Sequence, residues 1–332
     1  MKEWLTKIRS KNNKKAMPIL TFPATQLLNI SVKEFIKNSD LQVQAMKLVV
    51  ERCDPLASLG LMDLSVEAEC FGSKRHFSDN EVPTVIGSIV NNEEEAQSLM
   101  IPKVGDKRTG IYIEAIKKAK EEIKDRPVLA GCIGPFSLAG RLMDVSEAMI
   151  YCYDDPDMVH TVLSKVTDFL ISYILAYKDV GADGVVLAEP LAGILSPALC
   201  DEFSSVYVKK IVEAVDDNNF SVIYHNCGNN TLKMVETITS TGCEAYHFGN
   251  AIDMAEMLKL MPKDKIIMGN INPVDFKDSS TEEIIHNTKE LLKTIGEQEN
   301  FIISSGCDIP PTSSWDNIDA FMQISNTYYR TE

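Results

Sequence analysis

Two residues with a single residue between them, His225 and Cys227, carry an imidazole and a thiol, and a second thiol, Cys307, lies far along the chain after a glycine. Two thiolates and one imidazole are the donors that Zn²⁺ takes tetrahedrally, and three protein ligands leave a fourth position open for a reacting molecule. A lone H-x-C is a weak signal, because cysteine is more often a small buried hydrophobe. Its setting strengthens it. His225 and Cys227 follow the apolar run 220–224 and precede Gly228, and Cys307 follows the run 301–304. Glu189 ends a third apolar run, where a carboxylate without a partner is costly to bury, and it is expected to be catalytic. Asp63, Asn250 and Asn270 stand just past other runs and are expected to bind substrate. His247 lies inside a run, where a satisfied interior histidine and a catalytic one are equally good readings. Cys53, Cys152 and Cys200 fall in helical patterns, Cys132 within a strand, and Cys243 before one, so these read as ordinary core residues.

The elements that must position these groups are readable. Short, nearly continuous apolar runs at 19–22, 57–62, 128–133, 184–188, 220–224, 245–248, 266–268 and 301–304 predict parallel strands buried on both faces. Helical patterns lie between them. Asp155-Pro156 opens one, with the stripe Val159, Leu163, Val166, Leu170, Tyr173 and Tyr177, and Gly181 stops it. Ser280 to Glu283 forms a capping box for a second, carrying Ile284, Leu291, Leu292 and Ile295 inward. A third covers about 197–215 and a last one follows Ser314. Eight strand-then-helix units predict a (β/α)8 TIM barrel, whose active site lies just past the strands' C-terminal ends. An open doubly wound sheet is the rival, but no G-x-G-x-x-G or P-loop occurs. The chain reads as one domain, 1–332, with a charged N-terminal helix over 1–16. A long excursion at the barrel mouth, 64–108, includes extended segments around 66–70 and 82–90.

Composition narrows the function classes. Lys and Arg total 33 against 48 Asp and Glu, a net charge of −15, and no basic patch offsets it. Nucleic acid and anionic membranes are therefore not expected partners. No uninterrupted apolar run reaches the roughly 18 residues of a membrane span, and the Lys-rich N-terminus lacks the apolar core of an export signal. The eight cysteines show no framework spacing, so free thiols in a reducing cytoplasm are expected.

Longer motifs carry a family resemblance. Tyr224-His225-Asn226-Cys227-Gly228 together with Ser305-Gly306-Cys307-Asp308-Ile309-Pro310-Pro311 resembles the zinc motif of corrinoid-dependent methyltransferases in the uroporphyrinogen decarboxylase superfamily. Gly134 to Gly140, Val180 to Asp183 and Val66 to Glu69 agree, and the resemblance runs from about Trp4 to the last helix. It implies a uroporphyrinogen decarboxylase-like TIM barrel with one Zn²⁺ per chain. The activity implied is transfer of a methyl group from a methylcorrinoid to a zinc-activated small thiol such as coenzyme M. The decarboxylases of the superfamily resemble one another in an Arg-rich stretch after the first strand, but 22–28 here contains no arginine. No D-x-H-x-x-G cobalamin motif occurs, so methylcobalamin is expected on a separate corrinoid carrier protein. The alternatives are a decarboxylase-like lyase, a folate-linked demethylase, and a barrel that binds zinc and thiol without catalysis.

Overall fold

The computed structural model describes residues 3–7, 9–10 and 14–329. Its main sheet has seven parallel strands in the order β1-β4-β5-β6-β7-β8-β9. These are β1 (Ser58–Leu59), β4 (Val128–Ile133), β5 (Gly184–Ala188), β6 (Ser221–Asn226), β7 (Ala245–Phe248), β8 (Ile266–Ile271) and β9 (Phe301–Ser305). A two-stranded antiparallel hairpin, β2 (Lys74–His76) with β3 (Thr84–Ile86), stands apart from it. Side chains of β4, β5 and β9 are buried on both faces, which explains their unbroken apolar character.

The run 19–22 is expected as the first strand, yet it forms no strand ladder. Pro18 and Pro23 flank it and cannot donate to one. The segment nevertheless occupies the eighth position and closes the barrel with mixed bonds. On the β9 side, Met17 N donates to Ile303 O (3.0 Å) and Ile19 N to Ser305 Oγ (3.0 Å). On the β1 side, Leu56 N donates to Ala16 O (2.9 Å), and Thr21 Oγ1 donates to Leu59 O. The interior is filled by Met17, Ile19, Leu59, Leu129, Val186, Ile223, Met268 and Ile302, with Leu5 packed among them and fully buried.

The predicted N-terminal helix is shorter than 1–16. It spans Glu3–Lys7, and residues 9–10 and 14–20 are not helical; residues 1–2, 8 and 11–13 lie outside the described ones. In the excursion, 66–70 is not extended but forms the helix Val66–Cys70. Its V-E-A-E-C alternation imitates a strand, but all five residues are buried. Glu67 Oε1 accepts from Ile133 N (3.1 Å), and Glu69 pairs with Arg108 and Arg75.

The outer helices follow their signals closely. Pro156–Asp179 starts on an Asp155 cap, buries the whole predicted stripe, and ends before Gly181, whose φ of +95° few other residues adopt. By length and apolarity this helix could cross a membrane, but its apolar residues pack in the core. Thr281–Ile295 carries the capping box, and Trp315–Tyr328 follows Ser314. The helix expected over 197–215 begins at Pro197 and contains one π turn, Asp201–Ser205.

Candidate metal centre

His225 and His247 are register partners on β6 and β7, so both point to the same face of the sheet. Cys227 follows β6 through a turn shaped by Asn226. Its Oδ1 accepts from Gly228 N (2.9 Å) and Thr231 Oγ1 (3.3 Å), and its Nδ2 donates to Tyr224 OH (3.0 Å). Cys307 stands three strands away, yet the loops above the strands are knitted together. Gly249 N donates to Asn226 O (3.2 Å), and Gly306 N donates to Ile271 O. The packing tolerates no side chains at two points. A Cβ on Gly249 would lie 2.6 Å from Cys227 Cα, and one on Gly306 would lie 2.6 Å from Asn250 N.

This convergence brings the ligand atoms of His225, Cys227 and Cys307 within 4.8 Å of one another. Cys307 Sγ is 3.5 Å from His225 Nε2. The imidazole is buried and both thiols are half-buried, so the group opens toward the barrel mouth. The thiols divide their proton unequally. Cys227 accepts from Cys307 and is held below the usual thiol range, while that same bond and burial push Cys307 up to about 12. One imidazole and two sulfurs at this spacing form a donor set that fits Zn²⁺ and leaves a position free on the open side.

The remaining predicted residues sit at the rim, but their side chains are engaged elsewhere. Glu189 follows β5 beside His225, and its N donates to His225 O (2.8 Å). Its carboxylate turns the other way, toward the N-terminus of the helix Pro135–Met143. There it accepts from Phe136 N (2.7 Å), Ser137 N (3.3 Å) and Ser204 Oγ (2.9 Å), the last supplied by the π turn. It is wholly buried, and burial pushes its pKa up to about 7 despite those donors. Glu189 is thus not one of the clustered ligands: the helix terminus and Ser204 hold its carboxylate.

Asp63 is also held by neighbouring side chains. It accepts from Ser65 Oγ (2.6 Å) and Tyr112 OH (2.8 Å) and is paired with buried Arg108, which also holds Glu69. Asn270 donates to Gly249 O (2.9 Å) and Ile252 O (2.6 Å), so its amide secures the loop against Cys227. Asn250 is exposed at the mouth, with its backbone against Gly306.

One cavity and its charged lining escaped sequence reasoning. A cavity of about 230 Å³ is lined by Met62, Leu64, Val85, Arg141 and Asp308, the residue after Cys307, among others. Arg141, half-buried on the helix Pro135–Met143, has no hydrogen-bond or ion-pair partner among the described residues, and burial lowers its pKa. Asp308 Oδ1 is likewise buried without a partner. Arginine in a helical pattern carries no mark of this, since only the fold turns it toward the Cys307 loop. His247, read from the sequence as either an interior or a catalytic histidine, is engaged on both ring nitrogens: Nδ1 lies 2.8 Å from His225 Nδ1, and Nε2 lies 2.8 Å from Ser304 Oγ. Burial, followed by the neighbouring His225, holds its pKa well below the usual imidazole range.

Comparison with known proteins agrees with this architecture. The family model "Uroporphyrinogen decarboxylase (URO-D)" matches residues 14–328. A methylcobamide:CoM methyltransferase, MtbA, from Methanosarcina acetivorans is 26% identical over 271 residues, covering 80% of this chain and 78% of that one. A uroporphyrinogen decarboxylase from Coxiella burnetii is 24% identical over 318 residues, covering 89% and 87%. Among solved structures, a methyltransferase from Methanosarcina mazei superposes with a TM-score of 0.85 at 21% identity, covering 99% of this chain and all of that one.

Proposed function

The chain belongs to the uroporphyrinogen decarboxylase (URO-D) family of enzymes, and within it we propose a zinc-dependent methyltransferase that moves a methyl group from a methylcorrinoid to a small thiol. The observation that carries this reading is the convergence of His225, Cys227 and Cys307, with ligand atoms within 4.8 Å. A zinc ion held there would bind the substrate sulfur at its open position and favour the thiolate, the nucleophile in methyl transfer.

The chain's own residues set the conditions. Two cysteine ligands bring negative charge to the site, which keeps a bound sulfur electron-rich, while His225 adds none. The cavity lined by Asp308 and Arg141 has room for a small thiol, and Arg141 would face an acidic group such as the sulfonate of coenzyme M. Glu189 acts in positioning: it pins the Pro135–Met143 helix, which carries Arg141, against the strand end next to His225. The methylcorrinoid arrives on a separate carrier protein docking over the barrel mouth, where the hairpin β2–β3 offers one surface. The relationship to the MtbA methyltransferases supports this assignment. A decarboxylase is less well supported, because the segment after the closing strand is occupied differently. It holds no arginine, and Gln26 Nε2 donates to Pro311 O (2.7 Å) and Ser313 O (2.8 Å), clamping the loop that follows Cys307.

The test combines metal and turnover. Purified protein should hold about one zinc per chain, and Cys227→Ala or Cys307→Ala should lose most of it. Methylcobalamin should be demethylated only when thiol is present, faster with 2-mercaptoethanesulfonate than with uncharged 2-mercaptoethanol. Zinc and thiol binding without methyl transfer, even with methylcorrinoid proteins supplied, would leave a thiol-binding barrel and end the methyltransferase reading.

A further inference from the structure

Behind the metal cluster, buried polar groups form one continuous line across the barrel. Ser304 Oγ lies 2.7 Å from Met17 O, His247 Nε2 lies 2.8 Å from Ser304 Oγ, and His247 Nδ1 lies 2.8 Å from His225 Nδ1. His225 Nε2 then faces Cys307 Sγ. His225 is 2% exposed, His247 1% and Ser304 0%, so solvent cannot substitute for any partner. β7 and β9 are alternate strands of the barrel, and alternate strands share interior layers, which explains why His247 and Ser304 meet.

The line has a direction. A carbonyl oxygen only accepts, so the Ser304 hydroxyl must give its single proton to Met17 O. Ser304 Oγ can then only accept from His247, which places the histidine proton on Nε2. Two facing Nδ1 atoms 2.8 Å apart share one proton, and among the described residues no carboxylate is hydrogen-bonded to either ring to stabilise a second. That proton therefore belongs to His225. We propose that His247 is a positioning residue: fixed by Ser304 and Met17 O, it accepts from His225 Nδ1–H and commits the His225 Nε2 lone pair to the cysteine cluster. The effect on metal binding rests on the metal-site reading above, whereas the tautomer rests on hydrogen bonding alone. With the line reversed, His225 would carry its proton on Nε2, pointed at Cys307, and could not ligate. Metal-bound histidines usually hand their second N–H to a carboxylate, carbonyl or water, and losing such a partner costs about 10–100-fold in metal affinity. Here another histidine, itself oriented from the far side of the barrel, takes that place.

The tautomer can be read directly in metal-free protein by ¹⁵N NMR of the imidazole nitrogens, since the chain has five histidines. His225 should show a protonated Nδ1 and a bare Nε2, and His247 the reverse. His247→Leu should move His225 toward the Nε2–H form and lower Zn²⁺ affinity, measured by chelator competition, by about 10–100-fold. His247→Gln keeps an acceptor oxygen toward His225 and should recover part of that loss, which a merely space-filling role would not allow. Ser304→Ala frees the His247 tautomer while removing one atom, and it decides the matter if His247→Leu fails to fold. A wild-type His225 protonated on Nε2 would overturn the proposal. So would a Ser304→Ala protein with unchanged tautomers and unchanged zinc affinity. A chain that transfers no methyl group yet shows His225 Nδ1–H would refute the function proposed above while supporting this relay.

Discussion

At the scale of single residues, this protein separates carboxylates that look alike in sequence. Glu67 and Glu189 are both buried with pKa values near 7, but their surroundings differ. Glu189 has donors on both oxygens, whereas Glu67 Oε2 has none. Glu67 is therefore the better probe of what burying a carboxylate costs. Burial raises its pKa from 4.5 to about 7, so its protonated form favours folding. That contribution is full below pH 4.5 and is lost as pH rises through about 7. Glu67→Gln should match wild type in unfolding free energy from urea titration near pH 5 and exceed it near pH 8, by up to about 3 kcal/mol. Equal free energies at both pH values would place Glu67 in a relaxed, hydrated site. The same distinction shows how far residue types reveal a site. The clustering of His225, Cys227 and Cys307 is legible because all three lie at or just past strand ends at one rim. Asp63, Asn270 and Glu189 were placed at the correct rim, but a strand end fixes where a residue sits and not where its side chain turns. Arg108, Gly249 and the Pro135–Met143 helix terminus, all distant in sequence, decide that.

At the scale of elements, the loops matter more than the strands that launch them. Strand and helix order was legible from apolar runs and caps. The misread parts, 19–22 and 66–70, are those where proline or buried ion pairs override local pattern. Loop interlocking has no such pattern, because it depends on contacts such as Gly249 against Cys227. A methyl group at Gly249 has nowhere to go, so Gly249→Ala should push the Cys227 turn outward. Zinc affinity should fall at least tenfold while far-UV circular dichroism and the unfolding midpoint change little. If zinc binding is untouched, the cluster is less dependent on this close approach than its geometry indicates. Filling of the barrel is also an element-scale matter, since Leu5 packs among strand residues from outside the ring of strands. Leu5→Ala should cost about 2–4 kcal/mol in stability, as for a core leucine, although it lies near the chain's start.

At the scale of the whole molecule, the barrel has a seam. Seven positions are held by strand pairing, and the eighth by a few bonds around Met17, Ile19 and Thr21. The Ser304 hydroxyl gives its proton to Met17 O on this closing segment, and through His247 it also faces His225. If a metal binds at the proposed site, closure and metal affinity are two readings of one equilibrium. Whatever binds the closed form better than the open one must, by mass action, keep the barrel shut. Zinc at 100 times its dissociation constant would add about 2.7 kcal/mol against opening. Hydrogen–deuterium exchange should register this as slowed exchange at the amides of Met17 and Ile19, on the far side of the sheet order from His225. Ser304→Ala should uncouple the two, so that zinc no longer slows exchange there. The clasp of the barrel would then be a gauge of metal occupancy, readable without any substrate.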